Sequence, residues 1–239
     1  MSSILEARRL TKRFGQLAAV NELSFTVEQG AIFGIAGPNG AGKTTLFNLI
    51  SGLYSGDGEI IFKGEHIDHL RPFQRCNKGL ARTFQIPAVF SSLTVYENVR
   101  VGAHFGHRDH NEKVAIYDSL QFVGLSKRAN IPANHLSLFD KKMTMLGAAL
   151  ATRPSLLLLD EPIGGLSPIE IQKSVETFQK INQELGVTLI VIEHLMKVLM
   201  GISNRMMILE NGENICTGSP KEVSNDRRVI EVYLGADYA

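Results

Sequence analysis

The chain has 239 residues, of which 44% are apolar, so it can bury a sizeable core in one large or two small domains. Its 25 Lys and Arg residues nearly balance its 24 Asp and Glu residues, so the charge gives no indication of nucleic-acid binding or of electrostatic attachment to a membrane. Cys76 and Cys216 lack metal-ligand spacing and suit a reducing compartment, and without a secretion signal or ~18 continuous apolar residues we expect a protein that is neither exported nor membrane-spanning.

The first segments of the chain predict a small antiparallel β region. Residues 4–10 and 23–27 look like short strands, with a turn-like step at 14–16 between them. Phe14 in this step is interpreted either as an ordinary core ring or as an aromatic surface on which a base could stack.

A glycine-rich loop at residues 37–45 follows a buried strand at 31–36 and leads into a helix at 45–50. It fits the pattern G-x-x-x-x-G-K-[ST], in which backbone N–H groups and a helix N-terminus form a concavity for a polyphosphate. Lys43 is expected to reach the outer phosphates, and the Thr44 hydroxyl is expected to bind Mg²⁺. A plain glycine turn with a solvated lysine is the alternative, but the flanking strand and helix favour nucleotide binding. The predicted loop residues are Gly37, Pro38, Asn39, Gly40, Ala41, Gly42, Lys43, Thr44 and Thr45.

Helical patterns fill the middle of the chain. Thr94 and Glu97 form an S/T-x-x-E capping box ahead of an apolar stretch, which marks the start of a helix. Pro87 disfavours helix at the residue before it and so separates this helix from a short strand-like segment. The other elements expected here are a strand at 59–62, a strand end at 80–85, and helices at 111–123 and 141–151.

Three histidines near the end of this first helix have the spacing of a possible metal site. His104, His107 and His110 would align only on a continuous helix, and Gly106 argues against one. We therefore predict a solvated helix end here and no metal.

An apolar run at residues 156–159 ends in two carboxylates, Asp160 and Glu161, followed by Pro162. This pattern predicts a buried parallel strand with both acids at its carboxyl end, where open α/β sheets bind their ligands. The acids could simply cap the strand. Because the chain also contains a phosphate loop, we favour the interpretation that these acids are a second element of the same site, which binds metal and positions water.

The last third of the chain predicts a helix, a strand and a hairpin. Residues 167–170 form a second capping box, and a buried strand at 187–192 is followed by His194, which in isolation is usually structural or exposed. Asn211-Gly212 is a strong hairpin signal, and residues 219–222 cap a final helical tail.

The order of these motifs resembles the ATP-binding subunit of an ABC transporter along essentially the whole chain. The matching segments are 37–45 for the Walker A motif, Gln85 for the Q-loop, 156–162 for Walker B and the Glu that follows it, 165–168 for the D-loop and His194 for the switch histidine.

This resemblance implies an α/β fold with a P-loop NTPase core. The core would contain a mixed, largely parallel sheet, preceded by an N-terminal antiparallel β subdomain and interrupted by an inserted α-helical subdomain. We expect a single ABC-type ATPase domain over 1–239, with the nucleotide-binding core and β subdomain at 1–93 and 153–239 and the helical signature subdomain at 94–152.

The resemblance also implies a role for each matching residue, with ATP and Mg²⁺ as cofactors and ATP hydrolysis as the reaction. Phosphoryl transfer needs positioning and charge compensation more than covalent participation, which agrees with a lysine and carboxylates. The implied roles are adenine stacking by Phe14, phosphate binding by Lys43 and the loop amides, Mg²⁺ ligation by Thr44 and Gln85 with Asp160 acting through the ion, orientation of the attacking water by Glu161, and contact with the γ-phosphate by His194.

One segment departs from the family pattern. In place of a Leu-Ser-Gly-Gly-Gln signature, which completes the ATP site of the opposing subunit, the chain has Leu136, Ser137, Leu138, Phe139 and Asp140. Ser137 is kept as a nucleotide contact, but both glycines are lost, and with them the close backbone approach that glycine permits. Asp140 adds a negative charge near the position that another anion would occupy.

This departure suggests an asymmetric pair of ATPase subunits. The chain's own nucleotide site, completed by a partner with an intact signature, would hydrolyse ATP, and the site made by 136–140 would mainly hold nucleotide. A homodimer is the alternative.

Several segments are similar in particular to ATPases of branched-chain amino acid importers: 80–85, 93–98, 218–223 and 229–235. The partners then implied are membrane-spanning permease subunits, a second ATPase subunit and, indirectly, an extracytoplasmic solute-binding protein, at the inner face of the cell membrane and without nucleic acid. The transported solute cannot be read from this chain, and an importer of amides or urea would look similar.

Other classes of nucleotide-binding protein fit less well. A soluble ABC-type ATPase of DNA repair or translation would carry long coiled-coil insertions or a second cassette. A P-loop GTPase or small kinase is disfavoured because Asn77-Lys78-Gly79-Leu80 lacks the Asp of N-K-x-D and nothing resembles an acceptor lid.

Overall fold

The computed structural model of the protein describes residues 2–106 and 111–234. His107 and His110, which belong to the predicted solvated helix end, lie outside these residues. Contacts divide the chain into two compact units: Met1–Arg71 with Thr188–Ala239 forms the first, and Pro72–Val187 forms the second. Among the described residues, no helix combines the length and apolar character needed to cross a bilayer.

The helices and strands are numbered in chain order. The strands are β1 Ser3–Phe14, β2 Leu17–Glu28, β3 Ile32–Ala36, β4 Asp57–Phe62, β5 Glu65–His66, β6 Leu80–Arg82, β7 Leu156–Asp160, β8 Thr188–Ile192, β9 Arg205–Glu210 and β10 Glu213–Gly218. The helices are α1 Lys43–Ile50, α2 Pro72–Asn77, α3 Val95–Phe105, α4 Glu112–Phe122, α5 Leu138–Ala151, α6 Pro168–Leu185, α7 Met196–Ile202, α8 Pro220–Asn225 and α9 Arg227–Leu234, with 3₁₀ turns at Ser126–Arg128 and Ala133–His135.

The first unit contains the predicted antiparallel β region as a sheet of order β2-β1-β4-β5. Its first two strands are longer than the predicted segments 4–10 and 23–27, because ladder pairing continues to Phe14 opposite Leu17. Polar residues within them reach solvent, and register shifts such as the one between Ala7 and Leu10 accommodate them without ending the ladder. The turn is therefore shorter than predicted.

The same unit contains strands in the order β10-β9-β3-β8, with β3 parallel to both β8 and β9. Every residue of β3 and β8 is buried, as expected for parallel strands that are covered on both faces. The β9–β10 hairpin turns at Asn211 and Gly212, which have φ values of 50° and 81°. Positive φ at both positions is the geometry that Asn-Gly favours, so the hairpin prediction is confirmed.

The second unit joins the parallel pair β6–β7 to the helices from α2 to α6. Both predicted capping boxes are present, at the starts of α3 and α6. At the first of them, hydrogen bonds from the Thr94 backbone N–H and hydroxyl hold the pKa of Glu97 below its ordinary value.

Helix α5 begins at Leu138, three residues before the predicted start at Lys141. The Ser137 hydroxyl oxygen accepts a hydrogen bond from the Asp140 backbone N–H at 3.1 Å and so caps the helix. The altered signature is therefore the cap and first turn of a helix.

Asn98 on α3 holds the segment at residues 90–94, which comes just before α3. Its replacement gives a first test of the fold. The buried amide accepts from the Phe90 N–H at 2.7 Å and donates to the carbonyls of Phe90, Leu93 and Thr94 at 3.1, 3.3 and 2.9 Å. We expect Asn98→Leu to lower the free energy of unfolding by about 2 kcal/mol, because these backbone groups lose their partner. Chemical denaturation measures it, with exposed Gln121→Leu as the control; equal losses in both variants would contradict the role of Asn98.

Candidate active site

The phosphate loop of the first unit joins β3 to α1, as predicted. Gly42 precedes the helix at φ 99°, no side chain caps the first turn, and no acidic residue lies in it. The amides of a helix N-terminus carry partial positive charge and have no partners within the helix. This end of α1 fits a phosphate.

Close packing holds the loop in place. A Cβ at Gly37 would lie 2.1 Å from the Leu209 carbonyl oxygen, and one at Gly42 would lie 2.1 Å from that of Ala19. The Gly212 N–H donates to the Ala41 carbonyl at 3.1 Å, so the β9–β10 turn also supports the loop. Glycine is therefore required where the loop meets the neighbouring strands.

The Lys43 side chain lies within this loop. It is 6% exposed, and its Nζ donates to the carbonyls of Gly37 at 2.8 Å and Pro38 at 2.9 Å. Thr44, the next residue, is exposed. A positive charge and a hydroxyl are thus placed at the start of α1.

His194 lies at the same sheet edge as the loop. Ile35 of β3 pairs in parallel with Ile192 of β8, and the loop and His194 each begin two residues further along. The exposed His194 donates its backbone N–H to Glu193 Oε2 at 3.2 Å. The structure therefore brings two of the predicted site elements to one edge.

Phe14 is not a core ring, so the first of its two interpretations is wrong. Its side chain is 46% exposed and meets Tyr54 edge-to-face at 5.7 Å, with the Lys12 ammonium 5.4 Å from its centre. An exposed ring keeps a face for stacking, and adenine stacking stays a prediction.

The second unit brings Gln85 and Glu161 together. Arg82 of β6 pairs in parallel with Leu158 of β7, and Gln85 and Glu161 each lie three residues further along. Gln85 Nε2 donates to Glu161 Oε2 at 2.6 Å. Glu161 has φ 45°, a left-handed conformation that is costly for a residue with a side chain.

Asp160, the last residue of β7, forms a buried ion pair. Its Oδ2 lies 2.8 Å from Arg82 Nη2, and the two side chains are 3% and 5% exposed. The sequence analysis missed Arg82; its signal is a cation that follows the apolar residues Leu80 and Ala81 at the end of a short strand.

Lys142 of α5 was also missed. The buried side chain donates from Nζ to the Glu161 carbonyl at 2.9 Å, beside the carboxylate that was predicted to act on water. A lysine among the apolar residues Met143, Met145 and Leu146 is the signal that could have indicated it.

The charge predicted at Asp140 is compensated in the structure. Its Oδ2 binds Arg128 Nη1 and accepts from the Ser137 hydroxyl at 3.0 Å. The prediction from sequence could not include Arg128, which lies in the 3₁₀ turn Ser126–Arg128. Ser137 and Leu138 are exposed at the helix start.

The predicted Mg²⁺ ligands supply the correct chemistry. Thr44 offers a hydroxyl oxygen in the first unit, while Gln85 and Asp160 offer amide and carboxylate oxygens in the second. Oxygen ligands are those that Mg²⁺ prefers, so each of these three side chains is chemically suited to bind the ion.

Comparison with known families identifies the class of protein to which the chain belongs. The ABC transporter family matches residues 20–164, and the branched-chain amino acid ATP-binding cassette transporter family matches residues 213–239. The chain therefore belongs to the ABC transporter family, and it is an ATPase cassette, as the sequence analysis predicted.

Full-length relatives narrow the comparison. BraF of Pseudomonas aeruginosa, a high-affinity branched-chain amino acid transport ATP-binding protein, is 34% identical over 250 residues, covering 97% of this chain and 98% of BraF. LptB of Haemophilus influenzae, a lipopolysaccharide export system ATP-binding protein, is 33% identical over 244 residues, covering 99% of each.

The solved structures agree with the predicted fold class. The ADP conformation of MJ1267, an ATP-binding cassette of an ABC transporter, matches with a TM-score of 0.87 and 28% identity over 98% of this chain and 100% of that one. The α/β P-loop NTPase fold is confirmed.

Proposed function

We propose that the chain binds ATP with Mg²⁺ and hydrolyses it to power the import of branched-chain amino acids through separate membrane subunits. The observation that carries the choice of solute is full-length similarity to BraF, together with the family match at residues 213–239. ATP hydrolysis is the activity of the ABC transporter family, to which this chain belongs.

The residues divide the chemistry between them. Lys43 and the α1 amides bind the outer phosphates, and Glu161 orients the attacking water and accepts its proton. His194 contacts the γ-phosphate, and Phe14 stacks on adenine. Thr44, Gln85 and Asp160 hold Mg²⁺, which when bound neutralises charge on the phosphate oxygens.

The organisation proposed for the whole chain is a single ABC-type ATPase domain. Residues 1–93 and 153–239 form the nucleotide-binding core with its β subdomain, and 94–152 form the helical signature subdomain. The subunit lies on the inner face of the membrane, bound to permease subunits that receive solute from an extracytoplasmic binding protein.

The signature segment supports a pair of unlike ATPase subunits. Leu138 and Phe139 occupy the first turn of α5, where glycines would permit close backbone approach. The Ser137 hydroxyl is already bonded to Asp140. Hydrolysis is therefore assigned to this chain's own phosphate loop, completed by a partner with an intact signature.

Export is the second candidate function, because LptB is 33% identical to this chain over its full length. An importer and an exporter differ in the direction of transport and in the solute, which the ATPase chain does not contact. Transport by the assembled complex separates the two.

The experiment uses the chain with its membrane subunits in liposomes. Inward transport of labelled leucine, isoleucine or valine that depends on ATP and on the solute-binding protein is expected, together with ATP turnover. Lys43→Ala should abolish ATP binding and both activities, because the phosphate cradle loses its cation; Lys141→Ala is the control. ATP turnover without amino acid transport would overturn the choice of solute, and wild-type ATP affinity in Lys43→Ala would overturn the site.

A further inference from the structure

A buried lysine on α5 joins the two segments that carry Gln85 and Glu161. Lys142 is 5% exposed, and lysine is rarely buried to this extent unless its ammonium is bonded. Its Nζ donates to the Glu161 carbonyl at 2.9 Å and lies 3.5 Å from the Gln85 carbonyl. One side chain thus connects α5 with the residues that follow β6 and β7.

The backbone that Lys142 binds is strained. Glu161 has φ 45° and precedes Pro162, which restricts its conformation further. A left-handed residue with a side chain costs roughly 1–2 kcal/mol and persists only where its surroundings fix it. The position of the Glu161 carboxylate therefore depends on the contacts that hold this conformation.

Hydrogen bonds from Lys142, Gly164 and Gln85 help to fix Glu161. Its carbonyl accepts from Lys142 Nζ at 2.9 Å and from the Gly164 N–H at 3.3 Å, and its carboxylate accepts from Gln85 Nε2 at 2.6 Å. The bond from Lys142 to the carbonyl is charged and is shorter than the one from Gly164, and charged hydrogen bonds are the stronger kind.

We propose that Lys142 is a positioning residue for ATP hydrolysis, which sets the Glu161 backbone and through it the direction of the carboxylate. Helix α5 begins at the cap Ser137, so Lys142 lies on the same helix as the signature segment. This inference rests on the proposed role of Glu161 toward water.

A merely structural lysine would behave differently on replacement. Lys142→Met keeps an unbranched side chain that is one atom shorter and removes the ammonium, so a charge no longer has to be buried away from water. The Glu161 carbonyl keeps its bond from Gly164. The variant should therefore fold, and any loss of ATPase activity should be confined to the chemical step.

The test compares Lys142→Met with Lys141→Met, the same substitution one residue earlier, in the complex with its membrane subunits. We expect kcat for ATP to fall roughly 10- to 100-fold in Lys142→Met, the effect of a small misplacement of a reacting group, with KM and ATP affinity unchanged. Lys141→Met should keep the wild-type kcat. Lys142→Arg, which retains a charged donor, should recover part of the loss and keeps the test usable if the Met variant folds poorly.

A double variant separates this inference from the proposed function. In a Glu161→Gln background, Lys142→Met should slow single-turnover hydrolysis no further, because both changes act on one group. Wild-type kcat in Lys142→Met, a raised KM alone, or fully additive losses would overturn the positioning role and leave the function intact. Normal turnover in Glu161→Gln alone would overturn both.

Discussion

Glu161→Gln is expected to lower ATP turnover by roughly 100- to 10,000-fold, the usual contribution of a positioned general base. Glutamine has nearly the same shape and can still bond to Gln85, but it cannot accept a proton from water. ATP affinity should stay at the wild-type value, because Lys43 and the α1 amides lie in the phosphate loop and not at β7. Single-turnover hydrolysis and calorimetric ATP binding measure the two effects.

The control for this variant is Glu184→Gln, which changes an exposed acid on α6 in the same way. Mixing Glu161→Gln subunits with a wild-type partner ATPase also tests the asymmetric pair. Unchanged turnover in the mixed complex would show that hydrolysis does not take place at this chain's site.

Arg82→Met should give the largest loss of stability, about 3–5 kcal/mol in the free energy of unfolding, as found when one partner of a buried ion pair is removed. The reason is the burial of the pair, because the Asp160 carboxylate, 3% exposed, loses a guanidinium at 2.8 Å. Urea denaturation of the chain measures the change.

A surface pair provides the matched comparison. Arg153 lies 2.8 Å from Asp118, but the two side chains are 43% and 48% exposed, so Arg153→Met should cost at most about 1 kcal/mol. Asp160→Asn in the Arg82→Met background should recover stability, because it removes the buried charge that the guanidinium stabilised. Equal losses in Arg82→Met and Arg153→Met would contradict the importance of burial.

Elements with local chemical signals could be predicted from the sequence. The phosphate loop depends on glycines and a lysine within nine consecutive residues, the hairpin on Asn211-Gly212, and the α3 cap on Thr94 and Glu97. In each case the interacting atoms belong to neighbouring residues, so spacing alone specifies the geometry.

Contacts between distant residues could not be predicted in this way. Arg82 and Asp160 are 78 positions apart, and Lys142 and Glu161 are 19 apart. Each pairing depends on the register of β6 beside β7 or on the face that α5 presents, which the sequence of either segment does not contain. The early start of α5 has a more local cause, since Ser137 caps the helix ahead of the predicted start at Lys141.

The bonds of Lys43 to the carbonyls of Gly37 and Pro38 have a consequence for affinity. Immobilising a free lysine side chain costs up to about 2 kcal/mol of rotamer entropy. In this protein the Lys43 side chain is already ordered in the folded state. A phosphate that binds therefore replaces the two carbonyls as the partner of an ordered ammonium. Tight association with nucleotide should then depend on how well phosphate oxygens replace two carbonyls, and little on the freedom of the side chain.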